Sequence, residues 1–440
     1  MGLTSQAHGQ LTYDADTGNT NAQDGIGAGW NTATSNWWNG ASNVAWPNTG
    51  DSTSVAIFGA GSGAAGTVAV GTVTANGITF NAPGSGSYIL SGGTITLAGT
   101  APTITANVGA QIDSVLAGTN GLVKAGNGTL TLNGINTYSG TTYINAGSVI
   151  ARLGITATTT ENALSGSPVR IATGASLTFR NVNTNSALAP APANALSGSG
   201  ELVIEFASGT GARNTTPVGG FLTSFTGTIR LSTAGATGDK LNATSGINTA
   251  ASLTVVQGTQ LFINGASSTF NGGITVSGTG NSENRGAFRV SSGLTSHVTL
   301  AGNTTIAFEG SGILNGTIAN SAASILTLAG SGNGGGTINS SIQNGTGTTS
   351  LTQGTTGTII LAGTANNNYT GATTVNAGTL RLNKTAGLHA IYGDGVAGTA
   401  DLILGDGTGT DTLQLAASNQ IRDSVEITLG SAGTPVFTMA

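Results

Sequence analysis

Short runs in which apolar and hydroxyl side chains alternate strictly leave this chain few ways to fold. Thr94-Ile95-Thr96-Leu97, Thr129-Leu130-Thr131-Leu132 and Ile274-Thr275-Val276-Ser277 are three of them. Successive side chains of a strand point to opposite faces, so each run has one Leu/Ile/Val face and one Thr/Ser face. Glycines bound the runs, at Gly92-Gly93, Asn133-Gly134, Asn264-Gly265 and Asn271-Gly272. Such residues tolerate positive φ and mark tight turns. No stretch combines a helical period with caps, and the chain reads as all-β.

Composition narrows the class. Only 7% of the 440 residues are charged, against about 25% in an ordinary soluble domain. No apolar run approaches the roughly 20 residues of a membrane-spanning helix. Val, Ile and Leu recur regularly and the net charge is only -5, which does not suit a disordered chain. The 73 glycines follow no G-X-Y period, so collagen is excluded. The polar surface is Thr, Asn and Ser, which suits a pleated sheet. A single globular core of this length would be unusually large. A solenoid escapes that limit because each turn buries only against its neighbours. The pI near 5.0 and basic residues scattered singly from Lys124 to Arg422 offer nucleic acid no stripe. With no cysteine, an oxidising exterior is harmless and disulfides play no part.

Internal repeats point the same way. Gly128-Thr-Leu-Thr-Leu-Asn-Gly134 leads through Tyr138-Ser139-Gly140 to Asn145-Ala146-Gly147-Ser148-Val149-Ile150. Gly357-Thr-Ile-Ile-Leu-Ala-Gly363 leads through Tyr369-Thr370-Gly371 to Asn376-Ala377-Gly378-Thr379-Leu380. The second copy has two extra residues before its tyrosine, and from Gly140 and Gly371 onward the spacing is identical. Looser echoes begin at Phe225 and Phe270. A two-residue hairpin code would pair the strands antiparallel. Near-identical unit ends favour a coil instead, because identical turns stack in register and place Asn above Asn and Thr above Thr. The expected fold is a single elongated parallel β-helix (β-solenoid), right-handed, with coils of about 20–25 residues. Residues 1–9 read as a signal-peptide remnant or disordered leader, with small residues at Ala7 and Gly9. Residues 10–60 read as a Trp-rich N-terminal cap, and 61–440 as solenoid, with repeats at about 121–152 and 350–384.

The repeat pattern Gly-x-Gly-Thr-Leu-x-Leu-x-Gly…Tyr-(Ser/Thr)-Gly-x-Thr-x-(Ile/Val)-Asn-Ala-Gly-(Ser/Thr)-(Leu/Val) resembles the autotransporter-associated β-strand repeat of bacterial passenger regions. Trp37-Trp38-Asn39-Gly40, Gly50 to Gly59 and Leu380-Arg381-Leu382-Asn383-Lys384 are similar to the same proteins. The resemblance implies a parallel β-helix, export to the bacterial cell surface, adhesion and aggregation. That family's membrane β-barrel does not follow, which implies a removed barrel or another export route.

Candidate chemistry is sparse. His8, His297 and His389 have no triad or metal-ligand neighbours in sequence. Glu201 and Glu205 fall on one strand face about 13 Å apart, beyond the roughly 5–9.5 Å of glycosidase pairs. Asp14 and Asp16 open like a calcium loop, but Gly18 stands where an oxygen ligand belongs. Asp394, Asp401, Asp406 and Asp411 sit on or beside glycine turns and are the candidate calcium ligands; ordinary turn chemistry is the competing reading. Trp30, Trp37, Trp38 and Trp46 are either a cap over an open solenoid end or an aromatic platform for a glycan or other partner. Val436 and Phe437 lie on a terminal strand that reads as a contact for a further copy of the chain. The function expected is a non-enzymatic extracellular structural or adhesive protein that self-associates, as a homopolymer or aggregate, and meets surface glycans. A polysaccharide-active β-helix enzyme is the alternative; it would need convergent carboxylates on one face.

Overall fold

The computed structural model describes residues 10–18, 21, 25–51, 54–153, 163–164, 168–182, 185–188, 196–206, 214–217, 220–233, 239–330, 334–405, 409–431 and 433–440. The expected leader, His8 and Asp406 lie outside them. Contacts divide the chain into two compact units, Met1–Glu205 and Phe206–Ala440. Each is a parallel β-solenoid, and no helix occurs among the described residues.

In the first unit one sheet stacks Val55–Phe58, Gly77–Phe80, Thr103–Ala106, Leu122–Ala125, Thr142–Ile144, Val169–Ile171 and Leu196–Gly198, each parallel to the next. A second sheet stacks Thr67–Ala75 and Ile89–Leu97. It continues through Ala110–Ile112, Thr129–Leu132, Ser148–Leu153 and Ser176–Asn181. The chain crosses from one sheet to the other at each turn, so each of these strands pairs with its counterpart a coil away. Leu130 lies between Ala110 and Val149, and Tyr143 between Val123 and Arg170. The two therefore do not form a hairpin.

Alternation sets the core. Leu130 and Leu132 are buried while Thr129 and Thr131 are half-exposed. Ile274 and Val276 are buried around half-exposed Thr275. Burying a side chain of this size contributes about 1.5–3 kcal/mol, repeated in every coil. Outside, identical residues form ladders: Asn107 Nδ2 donates to Asn81 Oδ1 (2.8 Å) and Asn339 Nδ2 to Asn315 Oδ1 (3.0 Å).

Two details differ from the sequence expectation. Coil length varies more widely: Ser148 pairs with Thr129, nineteen residues back, while Leu413 pairs with Leu380, thirty-three back. The connections absorb most of the difference, and register shifts between Val276 and Gly278 where that strand meets Val298–Phe308. The Asn-Gly glycines also serve two purposes. Gly265 is left-handed (φ 103), but Gly134 and Gly272 are not. A Cβ on Gly134 would stand 2.5 Å from Ser114 O, and one on Gly272 2.5 Å from Ser252 N. There the missing side chain permits coil-to-coil approach.

The second unit repeats the plan. Thr228–Thr233, Ser252–Val255, Ile274–Gly278 and Val298–Phe308 stack in parallel. Ser324–Gly330, Thr349–Gln353, Thr373–Val375, Leu402–Leu404 and Ile427–Leu429 follow. A separate sheet stacks Ser311–Leu314, Gly335–Ile338, Thr358–Gly363, Gly378–Lys384, Thr410–Leu415 and Thr434–Met439.

Candidate functional site

Three features gather the residues that stand out in the sequence: an aromatic end, the corners of the two repeats, and the few charged groups. The aromatic end belongs to the first unit. Trp37–Trp38 pairs antiparallel with Leu11–Tyr13 on one side and with Asn43–Val44 on the other. This small ribbon continues the parallel sheet through Leu11–Tyr13, which pairs with Val55–Phe58. Trp30, Trp37 and Trp46 are at most 2% exposed and pack with Tyr13 and Phe58. Trp37 and Trp46 lie 4.7 Å apart, and Trp30 and Trp46 5.1 Å apart edge to face, the geometry aromatic quadrupoles favour. Trp46 Nε1 donates to Thr74 O (2.9 Å), whereas Trp30 Nε1 and Trp37 Nε1 find no acceptor. Rings buried this deeply present no face to a sugar. Trp38, next along the strand, is half-buried and points the other way. Asp14 ties this ribbon: its Oδ2 accepts from Asn43 Nδ2 (3.0 Å) and its Oδ1 from Asp16 N (3.2 Å).

At the repeat corners, each recurring residue has a defined task. Asn136 Oδ1 accepts from Leu116 N (2.7 Å) and its Nδ2 donates to Ala163 O (2.5 Å). Asn367 does the same with Ile342 N (2.8 Å) and Ala390 O (2.7 Å). Each buried amide thus satisfies the coil before and the coil after. Two residues on, Tyr138 bonds Thr142 (2.8 Å) and Tyr369 bonds Thr373 (2.6 Å) through their hydroxyls. Burial pushes both phenols up, and the threonine bonds offset part of that. Gly147 and Gly378 share φ 63. A Cβ on either would meet carbonyl oxygens of the preceding coil at 2.6 and 2.5 Å. No other residue fits both the left-handed backbone and that approach.

Two lysines are buried at these corners. Lys124 Nζ donates to Ala125 O, Gly126 O and Ala146 O at 2.7–3.0 Å. Lys384 Nζ donates to Ser340 O (3.1 Å) and Ala362 O (2.9 Å). Desolvation pushes both ammonium groups down to about 8.

Several of the remaining charges are paired. Glu205 binds Arg180 across neighbouring strands. In the second unit Lys240, Glu283, Arg289, Glu309 and Arg285 form one chain of ion pairs, with Arg289 4.0 Å over the Phe262 ring. His389 Nδ1 lies 2.9 Å from Asn419 O. The candidate calcium ligands divide. Asp401 accepts from Asp394 N (2.8 Å) and Glu426 N (3.1 Å), and Asp394 accepts from Val396 N (2.7 Å). Asp411 stands on a strand of the other sheet, buried, with both carboxylate oxygens unpartnered. Among the described residues, no three His, Asp or Glu gather to hold a metal. Val436 is half-buried and Phe437 47% exposed on Thr434–Met439, a strand at the sheet's edge.

Comparison with known proteins places the repeats. The passenger-associated-transport-repeat family matches at residues 122–151 and 354–382, the two corners described above. The chain is also 43% identical over 144 residues to the adhesin BmaC autotransporter of Brucella suis biovar 1 (strain 1330). The chain thus carries repeats of the kind found in autotransporter passengers. The match covers 31% of this chain and 4% of that adhesin, so the chain spans a small part of its relative's length. No solved structure matches it significantly. Among the described residues no helix is long and apolar enough to cross a membrane.

The repeat pattern in the sequence marks Tyr138, Gly147 and their counterparts but not the tasks of Asn136, Asn367, Lys124 and Lys384. For the asparagines a signal was present, since both copies read Asn-x-Tyr. The lysines gave none: Gln353 stands where Lys124 does, and Leu153 where Lys384 does.

Proposed function

We propose that the chain is an adhesive, non-enzymatic segment of a bacterial surface protein, displayed outside the cell, and that it also associates with copies of itself. The observation that carries this reading is its likeness to an adhesin autotransporter, in a chain whose repeats stack as parallel coils. The disposition of charge supports the non-enzymatic part. Arg180, Glu205, Lys240, Glu283, Arg289 and Glu309 are engaged with one another, and Asp401 with backbone amides. Such groups are structural ties and are not poised for proton transfer. Self-association is supported by a chain in which only 7% of all residues are charged, which offers a second copy little repulsion. Val436 and Phe437, on the Thr434–Met439 strand, are the apolar side chains this reading names for the contact. Contact through surfaces that do not close gives a head-to-tail fibre or a matrix.

Beads coated with the purified chain test adhesion: they are expected to bind cultured cells well above beads coated with albumin. Equal binding of the two would sink the adhesive reading. Light scattering over a concentration series tests self-association, with Phe437→Lys expected to lower the apparent mass. A monomer at every concentration would remove the second half of the proposal and leave the first.

A further inference from the structure

We propose that a shallow groove in the first unit binds one ring of a neutral glycan; this deepens the adhesive reading and rests on it. The groove is about 220 Å³ and crosses three successive coils at Ser87–Ile89, Gly109–Gln111 and Thr129–Thr131. In register, Gln111 lies between Ile89 and Thr131. One position outward, Ser87 and Thr129 flank Gly109, and the glycine makes the dent.

Gly109 is the informative residue. Other coil glycines such as Gly134 and Gly147 have a structural reason: a Cβ on either would strike the backbone of the coil beneath. A Cβ on Gly109 would meet nothing within 4 Å, and its φ is outside the left-handed region. Neither backbone conformation nor packing calls for glycine there, whereas an open groove does.

The lining selects the ligand. Ser87, Thr129 and Thr131 bring hydroxyls, and half-buried Ile89 with Ala110 brings an apolar wall. A pyranose has that split character, with hydroxyl edges and a C–H face. Gln111 is held in place: its Nε2 donates to Asp113 Oδ1 (2.9 Å) and Oδ2 (3.0 Å). Asn133 Nδ2 reaches the same carboxylate (2.9 Å). With the amide nitrogen so engaged, the Gln111 carbonyl is the group left for a ligand hydroxyl, already ordered before binding. No Lys or Arg lines the groove, so nothing draws an anionic glycan. The volume equals about seven waters, below the roughly 300–1,000 Å³ of drug-sized sites, and it suits a single ring. A peptide strand is disfavoured because Ala110–Ile112 already pairs on both sides and offers no free edge for strand addition.

The test is a neutral-glycan array, followed by titration of the strongest hit, with heparin as the anionic counter-probe. The wild-type chain is expected to bind a neutral glycan and not heparin. Gly109→Trp, which fills the dent, is expected to weaken binding at least tenfold without lowering the Tm. Gly302→Trp in the second unit should bind as wild type. Gln111→Leu serves if Gly109→Trp lowers the Tm, and it too should weaken binding at least tenfold. Wild-type affinity in a folded Gly109→Trp or Gln111→Leu chain overturns the site. Binding to heparin alone overturns the ligand class. Adhesive beads with no neutral glycan bound overturn the inference but leave the adhesive reading standing, whereas beads that do not adhere remove that reading itself.

Discussion

The two passenger repeats share a skeleton and differ in where they keep their charge. Asn136 and Asn367, the Tyr138–Thr142 and Tyr369–Thr373 pairs, and Gly147 and Gly378 superpose task for task. The first repeat then buries Lys124, whose ammonium reaches Ala146 O of the next coil, and closes with apolar Leu153. The second puts Gln353 in the Lys124 position, and its amide reaches only Thr355 O and Gly357 O of its own coil. Its lysine, Lys384, stands where Leu153 does and ties back to Ser340 and Ala362. Coil-to-coil cross-linking is thus kept in both while the cross-linking position moves. A solenoid permits this because each coil answers only to its neighbours. The amide bridge and the close-approach glycine are geometric requirements, and the cation is a local choice.

The largest effect should come from the shared part. Asn136→Leu and Asn367→Leu each leave a buried N–H and a buried C=O without a partner, at a cost of about 2–5 kcal/mol. Urea midpoints should fall by similar amounts in both, and a tolerated change in one repeat would break the equivalence. The lysines come next. Their folded value of about 8 lies below the ordinary lysine value of 10.5, so between these limits the unfolded chain binds more protons. Stability should therefore rise as pH is raised from about 8 to 10.5, by about 3 kcal/mol per lysine at most. Lys124→Gln should flatten that rise, leaving the share due to Lys384. At pH 7 the same variant should change stability by about 1–2 kcal/mol in either direction, as a bond to Ala146 is lost and a buried charge removed. Unchanged pH dependence would show that Lys124 is not buried as charge.

Most of the fold is legible in the sequence because alternation at Thr129–Leu132 and Ile274–Ser277 has one physical meaning, and the recurring tyrosine and Asn-Ala-Gly fix the period. What escaped depends on register between coils of unequal length. The groove forms only because Ser87, Gly109 and Thr129, separated by twenty-two and twenty residues, meet side by side. The ion-pair chain from Lys240 to Glu309 likewise draws on residues some seventy apart. Lys124 and Gln353 look unrelated as letters, and their common task is visible only as donors to corner carbonyls. Among the tryptophans, Trp37-Trp38 on a strand already dictates that one ring faces in and the other out. The sequence does not say that the strand runs antiparallel.

The smallest effect concerns the coil that follows each repeat glycine. Extending the Ser148–Ser176 register by one residue sets Ala175 beside Gly147, while Asp411 pairs directly with Gly378. Ala175 is buried and uncharged; Asp411 is equally buried and carries two oxygens without partners. Desolvation raises the Asp411 carboxyl above its ordinary value, so between the unfolded and folded values the folded chain binds more proton than the unfolded chain. Wild-type stability should then improve as pH falls through the folded value, and the strain should be largest at neutral pH. Asp411→Ala copies the arrangement of the first repeat and should stabilise the second unit by about 1 kcal/mol at pH 7, the net of a removed desolvation cost and a small cavity. The gain should shrink as pH is lowered and the wild-type carboxyl protonates. A loss of stability at pH 7 would mean that the carboxylate has a partner of its own, and that the second repeat has replaced the apolar contact beside its glycine with a polar one.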